Sequence, residues 1–189
     1  MTTPDRALFI PVILGTGRRG RRSEPVANFV FAELGKREGI ETELIDVRAI
    51  AFQIEGPTDD LKDAAFAAKM ARADALVLVV PEYNHGYPGL LKHVLDMNLK
   101  EYIHKAVGIC GVSAGPFGGT RMIANLLPVL RELGLTTIFE DVHFGNAGRL
   151  FDETGQLLEE AYVRRVDKFF DELIWMAEAL RAARAASVA

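Results

Sequence analysis

Apolar positions along the chain fall into short runs separated by longer stretches of helical periodicity. Residues 7–14, 43–47, 75–80, 106–112 and 136–142 read as strands. Three of these runs are almost continuously apolar, as parallel strands covered on both faces are. Helices fill the gaps. Ser23 can cap one that runs to about residue 37, with Pro25 in its first turn and Val26, Val30 and Leu34 along one face. Residues 61–72 form an Ala-rich helix, and 90–99 follow the Pro88-Gly89 turn. Residues 119–133 carry Met122, Leu126, Leu130 and Leu133 at helical spacing, with Gly134 as a stop. The last helix, about 158–182, spaces Tyr162, Val166, Phe169, Leu173, Met176 and Leu180 three and four apart, a stripe suited to packing on a sheet.

Five alternations of strand and helix imply right-handed crossovers and a three-layer α/β sandwich. No repeat or linker divides residues 1–189, so one domain is expected. Five strands fit the flavodoxin-like parallel order 2-1-3-4-5 better than a six-stranded dinucleotide-binding sheet. Ligands of such sheets bind beyond the carboxyl ends of the strands, which directs attention to the loops after strands one, three and four.

Composition narrows the class. With 49% hydrophobic residues in 189, the chain is no disordered polyampholyte. Its apolar runs stop far short of the ~20 residues of a membrane-spanning helix. The first residues lack a basic segment and a cleavage site before their apolar run, so a cytoplasmic protein is expected. One cysteine, Cys110, sits inside an apolar run and reads as a buried, inert thiol. His85 and His93 lack metal-ligand spacing, and His104 and His143 are isolated, so no metal is expected. The net charge is −4, yet Arg18, Arg19, Arg21 and Arg22 crowd five consecutive positions. An acidic chain with one dense basic spot does not suit nucleic acid; it suits one small anion.

That spot lies in the first of the three loops, residues 15–23. Glycines there can turn backbone N–H groups inward, the helix start adds partial positive charge, and Thr16, Ser23 and Arg18 offer phosphate-binding donors. Gly15, Gly17 and Gly20 also match a dinucleotide fingerprint, with Glu43 and Asp46 as ribose candidates, but the helix begins after the third glycine and the arginines crowd the loop. The second loop, 81–89, contains Pro81, Glu82, Tyr83, Asn84, His85, Tyr87 and Pro88: a rigid turn with an amide edge and flat rings for a heteroaromatic partner. The third, 113–120, holds Ser113, Gly115, Gly118 and Gly119, glycines that permit close approach of a planar ligand.

Three groups of residues carry a family resemblance: Gly15-Thr16-x-Arg18 with Ser23; Pro81-Glu82-Tyr83-Asn84 with Pro88, Leu91, Lys92 and Asp96; and Ser113-x-Gly115 with Gly118-Gly119. The chain resembles the NAD(P)H-dependent FMN reductases, a flavodoxin-like group that includes quinone, chromate and azo-dye reductases. The resemblance implies FMN as cofactor and NAD(P)H as co-substrate. It places Thr16, Arg18 and Ser23 on the FMN phosphate, Pro81, Glu82, Tyr83 and Asn84 along the isoalloxazine through backbone amides and the Asn, and Ser113 and Gly115 at its border. It implies a small-molecule electron acceptor and a homodimer or homotetramer, with no membrane or nucleic-acid partner and no side-chain catalyst. Which of the four arginines grips phosphate stays open. Met97 stands where many members carry Trp. The alternative is a flavodoxin-type electron carrier or a flavin-binding regulatory module without substrate turnover.

Overall fold

A computed structural model describes residues 6–51 and 62–187. The first apolar run divides into β1 (Leu8–Phe9) and β2 (Val12–Leu14) at Pro11, which has no N–H to continue the ladder. Then come α1 (Ser23–Leu34), β3 (Ile40–Glu41), β4 (Leu44–Asp46), α2 (Ala64–Arg72), β5 (Ala75–Pro81) and α3 (Gly89–Asp96). They are followed by β6 (Lys105–Val112), α4 (Thr120–Glu132), β7 (Leu135–Thr137), β8 (Val142–Phe144) and α5 (Ala161–Ser187). The pairings between these strands are parallel. The main sheet runs β4-β2-β5-β6-β7, with β8 also beside β6, and β1 pairs with β3.

Two expectations need correction. The fifth strand is not continuous over 136–142: β7 pairs with the start of β6 and β8 with its end, while Phe139 between them stands 89% exposed. The Ala-rich helix starts at Ala64, where the Asp63 carboxylate accepts the Phe66 N–H at 2.7 Å; the proposed start at Leu61 lies outside the described residues.

Alternation within the apolar strands builds two cores. Leu8, Val12, Leu14, Val77, Val79, Cys110 and Val112 face α1 and α5, where Val166, Phe169 and Leu173 are fully buried. Phe9, Ile13, Leu76, Leu78, Val80, Val107 and Ile109 face α2, α3 and α4. The stripe on α5 is therefore core. With the sheet sealed on both sides, its open feature is the row of carboxyl ends of β2, β5 and β6.

Candidate functional site

The loops after β2, β5 and β6 meet around a cleft of about 430 Å³. Six expected site residues line it: Arg18, Ser23, Pro81, Glu82, Tyr83 and Ser113. Thr16 lies just behind, its hydroxyl 3.0 Å from the Tyr83 hydroxyl. Asn84 and Gly115 are exposed and stand outside the lining. Val112, Ala114, Arg19, Gly20, Arg21 and Arg22 complete the walls.

The first loop is organised by Arg21. Its side chain is 1% exposed and forms a forked pair with Asp46, Nη1 to Oδ1 at 2.8 Å and Nη2 to Oδ2 at 2.5 Å. Nη1 also donates to the Thr16 carbonyl, and Nε reaches Glu24 at 3.3 Å. The four arginines thus divide: Arg21 is a staple, while Arg18, Arg19 and Arg22 are exposed and have no carboxylate partner among the described residues. Burial alone would raise the Asp46 pKa, but hydrogen bonds from Arg21 and Arg48 outweigh it and hold the carboxyl well below its ordinary range. Both ribose candidates are engaged within the protein: Asp46 by Arg21 and Arg48, and Glu43 by Lys69. The Arg18 guanidinium sits 5.6 Å from the centre of the Tyr83 ring.

Ser23 does not cap α1. Arg22 occupies the cap position with helical backbone angles, and Ser23 is the first helical residue. Its hydroxyl is buried and has no hydrogen-bond partner, although it lines the cleft. A buried hydroxyl beside a helix start and three unpaired guanidiniums fits a phosphate dianion.

The second loop is a tight hairpin. Tyr83 and Gly86 exchange both backbone hydrogen bonds at 2.9 Å, and Asn84 and His85 take φ of 49° and 65° at its tip. Two residues with positive φ are the requirement of the turn that matches strand twist. Of the backbone amides expected along a ring, those of Glu82 and Tyr83 are engaged within the protein. Pro81 has none, the Glu82 N–H donates to Val112 at 2.8 Å, and the Tyr83 N–H donates to Gly86. Glu82 is held by Arg121, whose Nε donates to Oε1 at 2.7 Å, while its Oε2 is buried and unpartnered. Such an acceptor on the cleft wall is open to a donor from a ligand or from water.

The third loop is set by Ser113. Its hydroxyl donates to the Gly115 carbonyl at 2.7 Å and accepts the Gly118 N–H at 2.8 Å. Its glycines were expected to admit a planar ligand; instead two of them serve the protein. A Cβ on Gly119 (φ 82°) would stand 2.9 Å from the Gly111 Cα, and one on Gly118 (φ 56°) 2.6 Å from the His143 Cβ. The loop can press onto β6 and β8 only without them.

Cys110 faces the core at the centre of β6, where burial pushes its thiol well above the ordinary range. Among the described residues no group of three His, Cys, Asp or Glu side chains is placed to hold a metal, and no helix is long and apolar enough to cross a membrane.

Residues 9–149 match the model of the NADPH-dependent FMN reductases. The chain belongs to this family. The reductase is 25% identical over 170 residues to an NADH:(hydroxy)cinnamate reductase subunit of Vibrio ruber, covering 84% of each chain. It is 29% identical over 159 residues to a quinone reductase of Pseudomonas putida, covering 78% of this chain and 83% of the relative. In fold it is similar to the NAD(P)H:acceptor flavoenzyme FerB of Paracoccus denitrificans, with a TM-score of 0.76 at 18% identity over 92% of this chain and 98% of that one. Its activity is that of an FMN-dependent oxidoreductase using NAD(P)H.

The sequence left unnamed both Arg21 as a staple and Ala114 as a wall. Ala114 sat between two chosen residues, but nothing in its side chain marked it. Arg21 carried the same chemical signal as its three neighbours.

Proposed function

We propose that the cleft between the three loops is the FMN site, with Thr16, Arg18 and Ser23 at the phosphate and Pro81, Glu82, Tyr83, Asn84, Ser113 and Gly115 around the ring. The observation that carries this reading is the Ser23 hydroxyl, buried, unpartnered and lining the cleft beside unpaired arginines. Hydride acceptance from NAD(P)H and onward electron transfer are the chemistry FMN supplies when bound. The chain's own residues bind and orient. Arg18 neutralises charge, and the Thr16–Tyr83 hydroxyl contact ties the phosphate loop to the ring loop. The Glu82 Oε2 accepts from a donor of the ligand, and the Asn84 tip borders its edge. The buried Cys110 supplies no nucleophile, and no side chain moves a proton in the hydride step.

The electron acceptor is a small molecule, a quinone, azo compound or metal oxyanion. The whole chain acts as one domain in the cytoplasm, as a homodimer or homotetramer, with α3 in the contact. Titrating flavin-free protein with FMN tests the site: Arg18→Ala weakens binding by roughly tenfold to a hundredfold, the worth of a charge-assisted hydrogen bond. Equal affinity in wild type and variant moves the phosphate away from Arg18, and tighter binding of FAD than of FMN overturns the site.

A further inference from the structure

A second hollow of about 320 Å³ adjoins the cleft and shares Arg22 and Ala114 with it; Asn146, Gly148 and Arg149 complete its lining. Its walls are fixed by the backbone. The Asn146 N–H donates to the Gly115 carbonyl at 2.7 Å and the Ala147 N–H to the Ser113 carbonyl at 3.0 Å, which clamps the loop after β8 onto the loop after β6. Asn146 takes φ of 51°, and the chain then closes a short turn, Ala147–Arg149, with the Arg149 N–H donating to the Asn146 carbonyl at 2.8 Å.

Glycine at 148 is what makes room for Arg22. A Cβ there would stand 2.7 Å from the Arg22 Cζ, so a side chain at 148 would make the guanidinium shift from this position. Two forked cations therefore line one small space, and neither has a carboxylate partner among the described residues. An anion in that space would meet both guanidiniums. FMN brings one phosphate, and the first cleft already offers it Arg18, Arg19 and the orphaned Ser23 hydroxyl.

We propose that Arg22 and Arg149 form a subsite for the 2′-phosphate of NADPH. The inference rests on the first cleft being the FMN site, since the hollow adjoins that cleft through Arg22 and Ala114. A guanidinium pairs with a phosphate through two parallel hydrogen bonds, whereas the 2′-hydroxyl of NADH offers neither charge nor a matching fork. The subsite thus selects NADPH over NADH. Arg149 is the clean probe because it lines the hollow and not the cleft.

The test uses FMN-loaded protein and compares adenosine 2′,5′-bisphosphate with AMP by calorimetry. Wild type binds the bisphosphate at least tenfold more tightly. Arg149→Ala removes most of that preference, Arg149→Lys keeps part of it, and the ratio of kcat/KM for NADPH to that for NADH falls at least tenfold in the alanine variant. Equal binding of the two nucleotides by wild type overturns the subsite. So does weakened FMN binding in Arg149→Ala with the nucleotide preference intact, since that gives the arginine to the flavin phosphate. A wild type that fails to bind FMN at all overturns the reading of the first cleft instead.

Discussion

The guanidinium of Arg21 and the carboxylate of Asp46 lock together across the ends of two neighbouring parallel strands, with two hydrogen bonds of 2.8 and 2.5 Å. The register that pairs Leu14 with Asp46 brings the carboxylate beside the loop after β2, and Arg21 folds that loop around the pair. Arg18, Arg19 and Arg22 are left outside it, with the cleft in reach.

Removing Asp46 leaves the buried Arg21 guanidinium with Glu24, at 3.3 Å, as its remaining counter-charge. Asp46→Asn therefore costs about 3 kcal/mol of folding stability, the low end for buried pairs because Asp46 itself is 27% exposed. Urea unfolding of the flavin-free protein measures it. A loss under about 1 kcal/mol would show that the loop holds its shape without the pair.

The same pair has a pH signature. Asp46 titrates lower in the folded protein than in the unfolded chain, so its contribution is full above the ordinary carboxylate pKa near 4 and is lost as pH falls through the folded value. The stability gap between wild type and Asp46→Asn is thus constant near neutrality and narrows in acid. A gap that widens below about pH 4 would reverse the assignment.

Lys105 works in the opposite range. It is buried at the start of β6 and donates to the Met70 and Ala71 carbonyls at the end of α2; burial brings its pKa down to about 8. The unfolded chain, with its lysine near 10.5, binds more protons between these values, so folding stability gains as pH rises through that window. Lys105→Met lacks this gain. Thermal unfolding from pH 7 to 10 compares the two slopes, and parallel slopes would mean that Lys105 titrates normally.

Ser23 separates a capping role from a ligand role. A helix cap replaced by alanine costs about 1 kcal/mol of stability. The Ser23 hydroxyl has no partner to lose, so Ser23→Ala changes folding stability by less than about 0.5 kcal/mol and weakens FMN binding about tenfold. Destabilisation with unchanged FMN affinity would restore the cap.

The sheet was legible because its strands are written twice, as apolar runs and as alternating faces. Runs do not record interruptions: the break between β7 and β8 depends on which part of β6 each segment meets. The three loops were legible from position alone, since topology fixes where ligands bind. The division of labour among four adjacent arginines was not, because only strand register decides which of them meets Asp46. Capping preference misled at Ser23 for a related reason. Local chemistry allowed a cap, but the helix starts where the Arg21 staple lets it. Glycines in the third loop pointed to a ligand when two of them answer to the backbone of β6 and β8.

Turnover should survive loss of the thiol and of the loop histidine. Cys110→Ala keeps a near-normal rate of NAD(P)H oxidation, because burial keeps the thiol protonated in the core. His85→Ala, at the hairpin tip, raises KM more than it lowers kcat. A hundredfold fall in kcat in either variant, still folded and flavin-loaded, would require a side-chain mechanism worth about 2.7 kcal/mol.

One measurement tests the function most directly: purified protein reconstituted with FMN, mixed with NADPH under anaerobic conditions, and followed by visible absorbance. Bound FMN should lose its yellow colour in a single turnover and recover it when a quinone is added, with Arg18→Ala retaining less flavin. Failure to retain FMN, or a bound flavin that NADPH leaves oxidised, would contradict the site and the function together.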